Sequence, residues 1–82
     1  MVRVDFDEKF KRTISKIKDA SIKGRIEKLI IKIKKNLKIG KPMRHNRKGT
    51  REVYLPPFRL SYAYNKTQDI IVILDLYHKD KQ

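Results

Sequence analysis

The sequence predicts a single α+β domain, in which a helical hairpin packs on one face of a mostly antiparallel four-stranded sheet. A chain of 82 residues has room for one domain, which we assign to residues 1–82. Two stretches in its first half repeat apolar residues with helical spacing. One short stretch precedes them and three follow them. In these four stretches apolar residues either alternate with polar ones or form a continuous run, which is typical of strands. The resulting order, β-α-α-β-β-β, groups the helices on one side of the sheet.

The first two elements are a short strand and a helix. Apolar and charged residues alternate over positions 2–6, which is typical of a half-buried strand. Apolar residues then recur with helical spacing and predict a helix over residues 7–18. Asp5 is the predicted N-cap of this helix, because Glu8 follows at the three-residue spacing of a capping box.

A second helix is predicted over residues 21–36, with Ser21 as its N-cap. Its apolar residues fall inside an arc of roughly 100° and form one stripe that should face the sheet. These are Ile22, Ile26, Leu29, Ile30, Ile33 and Leu37. Ile31 points away from the stripe, so we expect a neighbouring element or a partner to cover it. A short connection joins the two helices, so they should form a hairpin.

The second half of the chain predicts three strands after a basic loop over residues 38–49. The strands are predicted over residues 50–55, 59–65 and 70–77, and the last is apolar enough to be central and covered on both faces. Tyr62 and Tyr64 should pack beneath the helices with their hydroxyl groups reaching outward. The predicted core consists of Ile26, Leu29, Ile30, Ile33, Leu60, Tyr62, Val72 and Leu74.

The charge of the chain is its strongest functional signal. The formal net charge is +13, and residues 1–49 carry 17 basic and 5 acidic side chains. No acid occurs between Glu27 and Glu52. So basic a segment repels itself unless a polyanion neutralises it, which indicates nucleic acid or an acidic protein as a partner. A lysine-rich solvated surface is the alternative, although such surfaces usually balance lysine with glutamate.

Several classes of site and location are excluded by composition. The absence of cysteine rules out disulfides and cysteine-ligated metals. With two histidines and scattered acids, we expect neither a metal site nor a cofactor. No apolar run is long enough to span a membrane or to act as a signal peptide, so we expect a soluble cytoplasmic protein.

Four local motifs follow one another in the second half of the chain. They are Gly40-Lys41-Pro42, Arg44-His45-Asn46, the run from Phe58 to Tyr64, and Leu76-Tyr77-His78-Lys79. Taken in this order, they resemble the motifs of the RelE/ParE superfamily of type II toxins. The likeness is greatest to the RelE and YoeB branches, which are ribosome-dependent mRNA endoribonucleases. It implies a RelE-like fold and a metal-independent reaction in which the RNA 2′-OH attacks the adjacent phosphate. The product would be cleaved message and inhibited translation.

The resemblance and the chemistry together give four candidate catalytic residues. Arg59 matches the family arginine that holds the scissile phosphate, and guanidinium binds phosphate bidentately. His78 matches a general acid, and Lys79 occupies the position of a catalytic arginine. Glu52 is a candidate general base, because this chain has no acid in the loop where YoeB-like members place theirs. Glu52 and Tyr54 stand where RelE-like members have two lysines. The alternative for Glu52 is a structural ion pair with Arg51 or Arg44.

Further residues are predicted to bind RNA or an antitoxin. Basic side chains of the loop and its flanks should grip phosphates, and two aromatic rings are candidates for stacking on an RNA base, with core packing as their alternative. The RNA-binding candidates are Lys41, Arg44, His45, Arg47, Lys48, Arg51, Tyr54 and Phe58. The resemblance also implies an acidic, RelB-like antitoxin in a heteromeric complex. We expect it to cover Lys28, Ile31, Lys32 and Lys35.

Two other functions remain open at this point. A non-catalytic RNA-binding protein would need the same charge but no catalytic residues. A ParE-type gyrase inhibitor would share the fold, and such proteins generally lack the arginine and histidine of the nucleases. The presence of both Arg59 and His78 favours the nuclease, in which the ribosome and its mRNA are the partners.

Overall fold

The structure is a computed structural model that describes residues 2–43 and 49–80. Two helices and five strands occur in these residues, in the order β-α-α-β-β-β-β. They are β1 (Arg3–Phe6), α1 (Glu8–Ser15), α2 (Ala20–Lys35), β2 (Lys41–Pro42), β3 (Thr50–Leu55), β4 (Phe58–Asn65) and β5 (Ile70–His78). No helix in the described part of the chain is long and apolar enough to cross a membrane.

The strands form one mixed sheet in the order β1-β5-β4-β3-β2. β1 runs parallel to β5, and the remaining neighbours are antiparallel. The predicted α+β class is therefore confirmed. The strand count differs, because Lys41 and Pro42 inside the predicted basic loop pair with β3 as a two-residue edge strand. A proline and a lysine on so short an edge discourage further strand pairing.

Both helices begin at an aspartate that the sequence prediction did not choose. Asp7 caps α1 by accepting a hydrogen bond from the backbone N–H of Lys9 at 3.0 Å. Asp19 caps α2 in the same way, accepting from Ser21 N–H at 2.8 Å. The predicted caps Asp5 and Ser21 were therefore wrong, and α1 ends at Ser15, three residues earlier than predicted.

The core lies between the helices and one face of the sheet. Its fully buried members include Ile33 from α2, Leu60 and Tyr62 from β4, and Ile71 and Ile73 from β5. We call this side of the sheet the helix face.

Part of the predicted core was wrong on β5, where Val72 and Leu74 are only half-buried. Alternate residues of a strand face opposite sides, so burial of Ile71 and Ile73 turns these two outward. Between Ser61 and Tyr62 of β4 the pairing with β5 shifts by one residue. This shift returns Leu76 of β5 to the helix face. Val72 and Leu74 are half-buried on the other face, so β5 is central as predicted but fully buried on one face only.

The hydroxyl of Tyr62 ties the end of α2 to the sheet instead of reaching outward. It donates to Leu37 O at 3.0 Å and accepts from Gly40 N–H at 2.9 Å. Arg51 Nη1 holds the same segment by donating to Gly40 O at 2.7 Å. Burial raises the pKa of Tyr62, while the Gly40 hydrogen bond and the Arg51 charge oppose that rise.

Candidate functional site

The surface of the sheet opposite the helices carries most of the predicted catalytic residues. Register pairs Glu52 with Ser61 and Tyr54 with Arg59, so these four side chains share one face. We call this surface the open face. It consists of Lys41, Thr50, Glu52, Tyr54, Arg59, Ser61, Ala63, Asp75 and Tyr77, with Lys79 just beyond the end of β5.

An ion pair between Arg59 and Glu52 lies at the centre of the open face. Arg59 Nη1 donates to Glu52 Oε1 at 2.6 Å. The side chain of Glu52 is only 7% exposed, whereas that of Arg59 is 38% exposed. The pair therefore presents a partly open guanidinium beside a sheltered carboxylate, which places a cation and a base at one point. Charge-assisted bonds of this kind are short and strong.

Tyr54 lies next to this ion pair and joins it to the end of β5. Its ring is 5.9 Å from Arg59 Cζ and 5.9 Å from Lys79 Nζ, measured to the ring centroid. Tyr54 is 52% exposed, so its ring remains accessible to a ligand. Two cations beside an accessible ring form a surface suited to a phosphate and a neighbouring base.

A second polar cluster on the open face was missed by the sequence prediction. Asp75 lies in register with Ser61, and Lys9 Nζ approaches Asp75 Oδ2 to 3.4 Å from the start of α1. Leu76 N–H also donates to Asp75 Oδ1 at 2.8 Å. Lys9, Ser61 and Asp75 border a cavity of about 260 Å³, which Tyr77 also lines. Asp75 was missed because the register shift on β5 changes which residues face outward, and no sequence pattern signals that shift.

The structure does not bring His78 next to Arg59. His78 pairs with Phe58, while Arg59 pairs with Tyr77, so the histidine and the arginine point to opposite sides of the sheet. The Phe58 and His78 rings meet edge to face at 6.1 Å. Phe58 is half-buried and packs against the core, which favours a structural role for it. Lys79, not His78, is the terminal residue beside Tyr54 and Arg59.

The predicted RNA-binding residues are divided between the two faces. Lys41 pairs with Glu52 in register and lies on the open face. Arg51 lies on the helix face, where it bonds Gly40 O and borders a cavity of about 380 Å³ near Lys38 and Lys66. The other four predictions, Arg44, His45, Arg47 and Lys48, lie outside the described residues.

Tyr64 also borders the cavity beside Arg51. Its hydroxyl donates to Asp69 Oδ1 at 2.6 Å across the β4–β5 turn. This hydrogen bond raises the pKa of Tyr64, and desolvation and the negative charge of Asp69 act in the same direction. The prediction that Tyr64 packs against the core is met in part, because the residue is half-buried there.

The predicted antitoxin-binding residues line two different clefts beside α2. Lys28 and Lys32 face the β3–β4 turn together with Tyr54. Ile31, which is 52% exposed, and Lys35 face the start of β1 beside Val2. A partner that contacts all four predicted residues would therefore have to cross the exposed side of α2.

No group of three or more potential metal ligands occurs within residues 2–43 and 49–80. The open face itself offers the side chains of Arg59, Glu52 and Lys79 and the neighbouring hydroxyl groups. These can hold a phosphate, accept a proton and stabilise developing negative charge.

Comparison with known proteins shows the family. The family model for the ParE toxin of the type II toxin-antitoxin system parDE matches residues 4–82. The chain belongs to this family. It is thus a type II toxin, and the resemblance found in its motifs is confirmed. No curated protein sequence matches the toxin significantly.

Solved structures show the same fold. The YoeB/ParE toxin from Agrobacterium tumefaciens is similar with a TM-score of 0.82 and 13% identity, over 94% of this chain and 98% of that one. The isolated RelE toxin of Escherichia coli gives a TM-score of 0.81 and 13% identity, over 100% and 88%. A chain of the RelBE2 toxin-antitoxin complex of Mycobacterium tuberculosis gives 0.69 and 24% identity, over 95% and 98%.

Proposed function

We propose that this toxin is a metal-independent mRNA endoribonuclease that acts on the ribosome and inhibits translation. The observation that carries the proposal is the Arg59–Glu52 pair at 2.6 Å, on the open face and beside Tyr54 and Lys79. A sheltered base, a phosphate-binding cation and a second cation for the leaving oxygen are the groups that cleavage by the RNA 2′-OH requires, and the Tyr54 ring can position a neighbouring base. The likeness of the motifs to RelE and YoeB adds support.

Each residue has a separate role in the proposed reaction. Glu52 takes the proton of the 2′-OH, whose oxygen then attacks the adjacent phosphorus. Arg59 holds the phosphate oxygens and stabilises the charge that builds up on them. The bond to the 5′ oxygen breaks, leaving a 2′,3′-cyclic phosphate and a 5′-hydroxyl. Lys79 is the second cation at the Tyr54 ring, and it stabilises or protonates that leaving oxygen.

The remaining RNA contacts are proposed from charge. Lys41 extends the open face beyond Glu52, and the basic residues Arg44, His45, Arg47 and Lys48 follow it in the sequence. The strongly basic first half of the toxin would dock on the phosphates of ribosomal RNA. Tyr54 would stack on one base of the message, because its ring is accessible and flanked by cations.

The test is cell-free translation with the purified toxin, followed by mapping of mRNA ends. We expect new 5′ ends within the translated region that appear only when ribosomes are present. The same toxin is added in parallel to a DNA supercoiling reaction with purified gyrase, which should proceed normally. Stalled translation with intact message would instead indicate an RNA-binding protein without nuclease activity.

Gyrase inhibition is the second candidate, and two observations favour it. The family match over residues 4–82 is to the ParE toxin, and the predicted general acid His78 faces away from Arg59. Loss of supercoiling with intact message in the paired assay would select this function over RNA cleavage.

We also propose that an acidic antitoxin holds the toxin inactive in a heteromeric complex. The RelBE2 structure is of a toxin-antitoxin complex, and the toxin itself carries a net charge of +13. Lys28, Lys32 and Lys35 would attract the acidic chain, while Ile31 would anchor it in the cleft beside Val2. Substitution Ile31→Asp should then weaken antitoxin binding at every salt concentration, whereas the lysine variants should weaken it mainly at low salt.

A further inference from the structure

A cleft between α2 and the β3–β4 turn meets the open face at Tyr54. Its volume is about 260 Å³. It is lined by Arg25, Lys28, Leu29 and Lys32 from α2 and by Tyr54, Leu55 and Pro56 from the end of β3 and the turn. Three of these residues are cations, and no acid lines the cleft among the described residues.

Tyr54 makes this cleft continuous with the catalytic surface proposed above. Tyr54 lines the cleft, and its ring is 5.9 Å from both Arg59 Cζ and Lys79 Nζ. Two cations on the open-face side therefore lie beside the ring, and the three cations of the cleft belong to a surface that Tyr54 also lines. An extended ligand that is bound at Arg59 and continues past Tyr54 would enter the cleft directly.

The chemistry of the cleft fits one kind of polyanion. Its lining includes two apolar residues of the protein interior, because Leu55 is buried and Leu29 packs against the core. Its α2 wall carries Lys28 and Lys32 one helical turn apart. Cations along a groove with an accessible aromatic ring are the features by which proteins hold single-stranded nucleic acid.

We propose that this cleft binds the RNA strand beyond the scissile phosphate. Tyr54 stacks on one base at the corner, and Arg25, Lys28 and Lys32 hold the phosphates that follow. The identity of this strand as cleaved message rests on the proposed function, but its binding can be measured without cleavage. The strand shares Lys28 and Lys32 with the proposed antitoxin surface, so an antitoxin bound there would compete with RNA.

The experiment measures binding of a fluorescent ten-nucleotide RNA whose 2′-hydroxyls are methylated, so that attack by the 2′-OH is blocked. Anisotropy is recorded between 50 and 200 mM salt, because the slope of log affinity against log salt falls by about 0.7 per single-strand phosphate contact. The double variant Lys28→Gln/Lys32→Gln should make this slope shallower by about 1.4.

A matched control separates local contacts from overall charge. Lys23→Gln/Lys34→Gln removes the same charge from exposed lysines of α2 that do not line this cleft. It should leave the slope nearly unchanged. Equal slope changes in the two double variants would overturn the proposal, because they would show attraction to the whole protein and no bound strand.

Tyr54→Leu tests whether the ligand carries bases. Stacking of one base contributes about 1–3 kcal/mol, so affinity should fall by about 5- to 150-fold while the salt slope stays the same. Unchanged affinity would overturn the assignment to RNA and would fit an acidic peptide. If all three binding results hold but ribosome-bound message stays intact, the cleft proposal stands and the nuclease proposal fails. Cleavage of message without this binding pattern would support the nuclease proposal and overturn the cleft proposal.

Discussion

The two faces of β4 satisfy their polar side chains in different ways. On the helix face, the hydroxyl of Tyr62 is bonded to two backbone groups, Leu37 O and Gly40 N–H. On the open face, Arg59 is bonded to another side chain, Glu52, and is more than one third exposed. Backbone partners cannot rotate away, whereas side-chain partners can exchange for a ligand. The helix face therefore holds segments of the chain in position, whereas the open face has side chains that are available to a ligand.

The largest effect expected from this comparison is that of Arg59→Ala on RNA cleavage. Loss of a group that stabilises transition-state charge costs a factor of about 100 or more in rate. Cleavage of ribosome-bound message by the variant should therefore fall by at least that factor. Cleavage at the parent rate would assign Arg59 a structural role and would move the proposed site elsewhere.

The same substitution tests the ion pair as a structural feature. From the sequence we would expect Arg59→Ala to change stability by less than about 0.5 kcal/mol, as for a surface arginine. The structure gives a different expectation, because the variant leaves the sheltered carboxylate of Glu52 without its 2.6 Å partner. Because Arg59 is partly exposed and screened, we expect a loss of about 1–3 kcal/mol, below that for a fully buried pair.

Thermal denaturation of Arg59→Ala and of a double variant checks this expectation. Arg59→Ala/Glu52→Gln removes both charges and should be more stable than Arg59→Ala alone, while remaining inactive. If the two variants unfold at the same temperature, Glu52 does not depend on Arg59 for its stability.

A loss of stability of similar size is expected on the helix face from Gly40→Ala. A Cβ at this position would lie 2.8 Å from Cε1 and from the hydroxyl oxygen of Tyr62, and 3.0 Å from Arg51 Cβ. Tyr62 is fully buried and cannot move aside easily, so overpacking should cost about 1–3 kcal/mol. In a domain of this size, each kcal/mol lowers the melting temperature by about 4–8 °C.

Gly24→Ala is the matched control for that substitution. Gly24 lies inside α2, and a Cβ there meets no atom within 4 Å. Alanine should therefore stabilise the helix by about 0.5–1 kcal/mol, since glycine is the poorer helix former. Opposite shifts of the melting temperature would support the Tyr62–Gly40 contact, and a loss in both variants would contradict it.

Sequence patterns predicted most of the fold because apolar periodicity dominates in long elements. β3 was predicted with its observed bounds, and α2 was placed within one residue at each end. The predictions of the helix N-caps were wrong, because Asp7 and Asp19 have neighbours that are equally suitable as caps and only the local backbone decides between them. Strand β2 was not predicted, because two residues are too few to show a period.

The candidate site was harder to predict because it depends on which strands lie side by side. Arg59 and Glu52 are seven residues apart in the chain and meet only through the register of β3 and β4. Alternation along β4 places Arg59 on one face with Ser61, as the register shows. It could not place Asp75 or His78, because the register shift on β5 interrupts the alternation there.

The smallest effect in the comparison is expected at His78. The sequence predicts this residue as a general acid, yet its ring packs against Phe58 on the helix face. His78 Nδ1 lies 3.6 Å from Asp80 Oδ2, and the backbone nitrogen of Asp80 lies 3.4 Å from His78 Nδ1. A side chain held by its neighbours on that face is poorly placed to protonate an oxygen leaving from the Arg59 phosphate.

Cleavage rates of His78→Ala and Lys79→Ala, compared with the parent toxin, test that assignment. General acid catalysis contributes about 100-fold or more, so loss of the true proton donor should be easy to detect. We expect His78→Ala to slow cleavage by less than about tenfold and Lys79→Ala to slow it more, because only Lys79 shares the Tyr54 ring with Arg59. The reverse order would mean that His78 turns toward the open face when RNA binds. In that case the two faces of the sheet would not be functionally separate at the end of β5, and the resemblance would have assigned the general acid correctly.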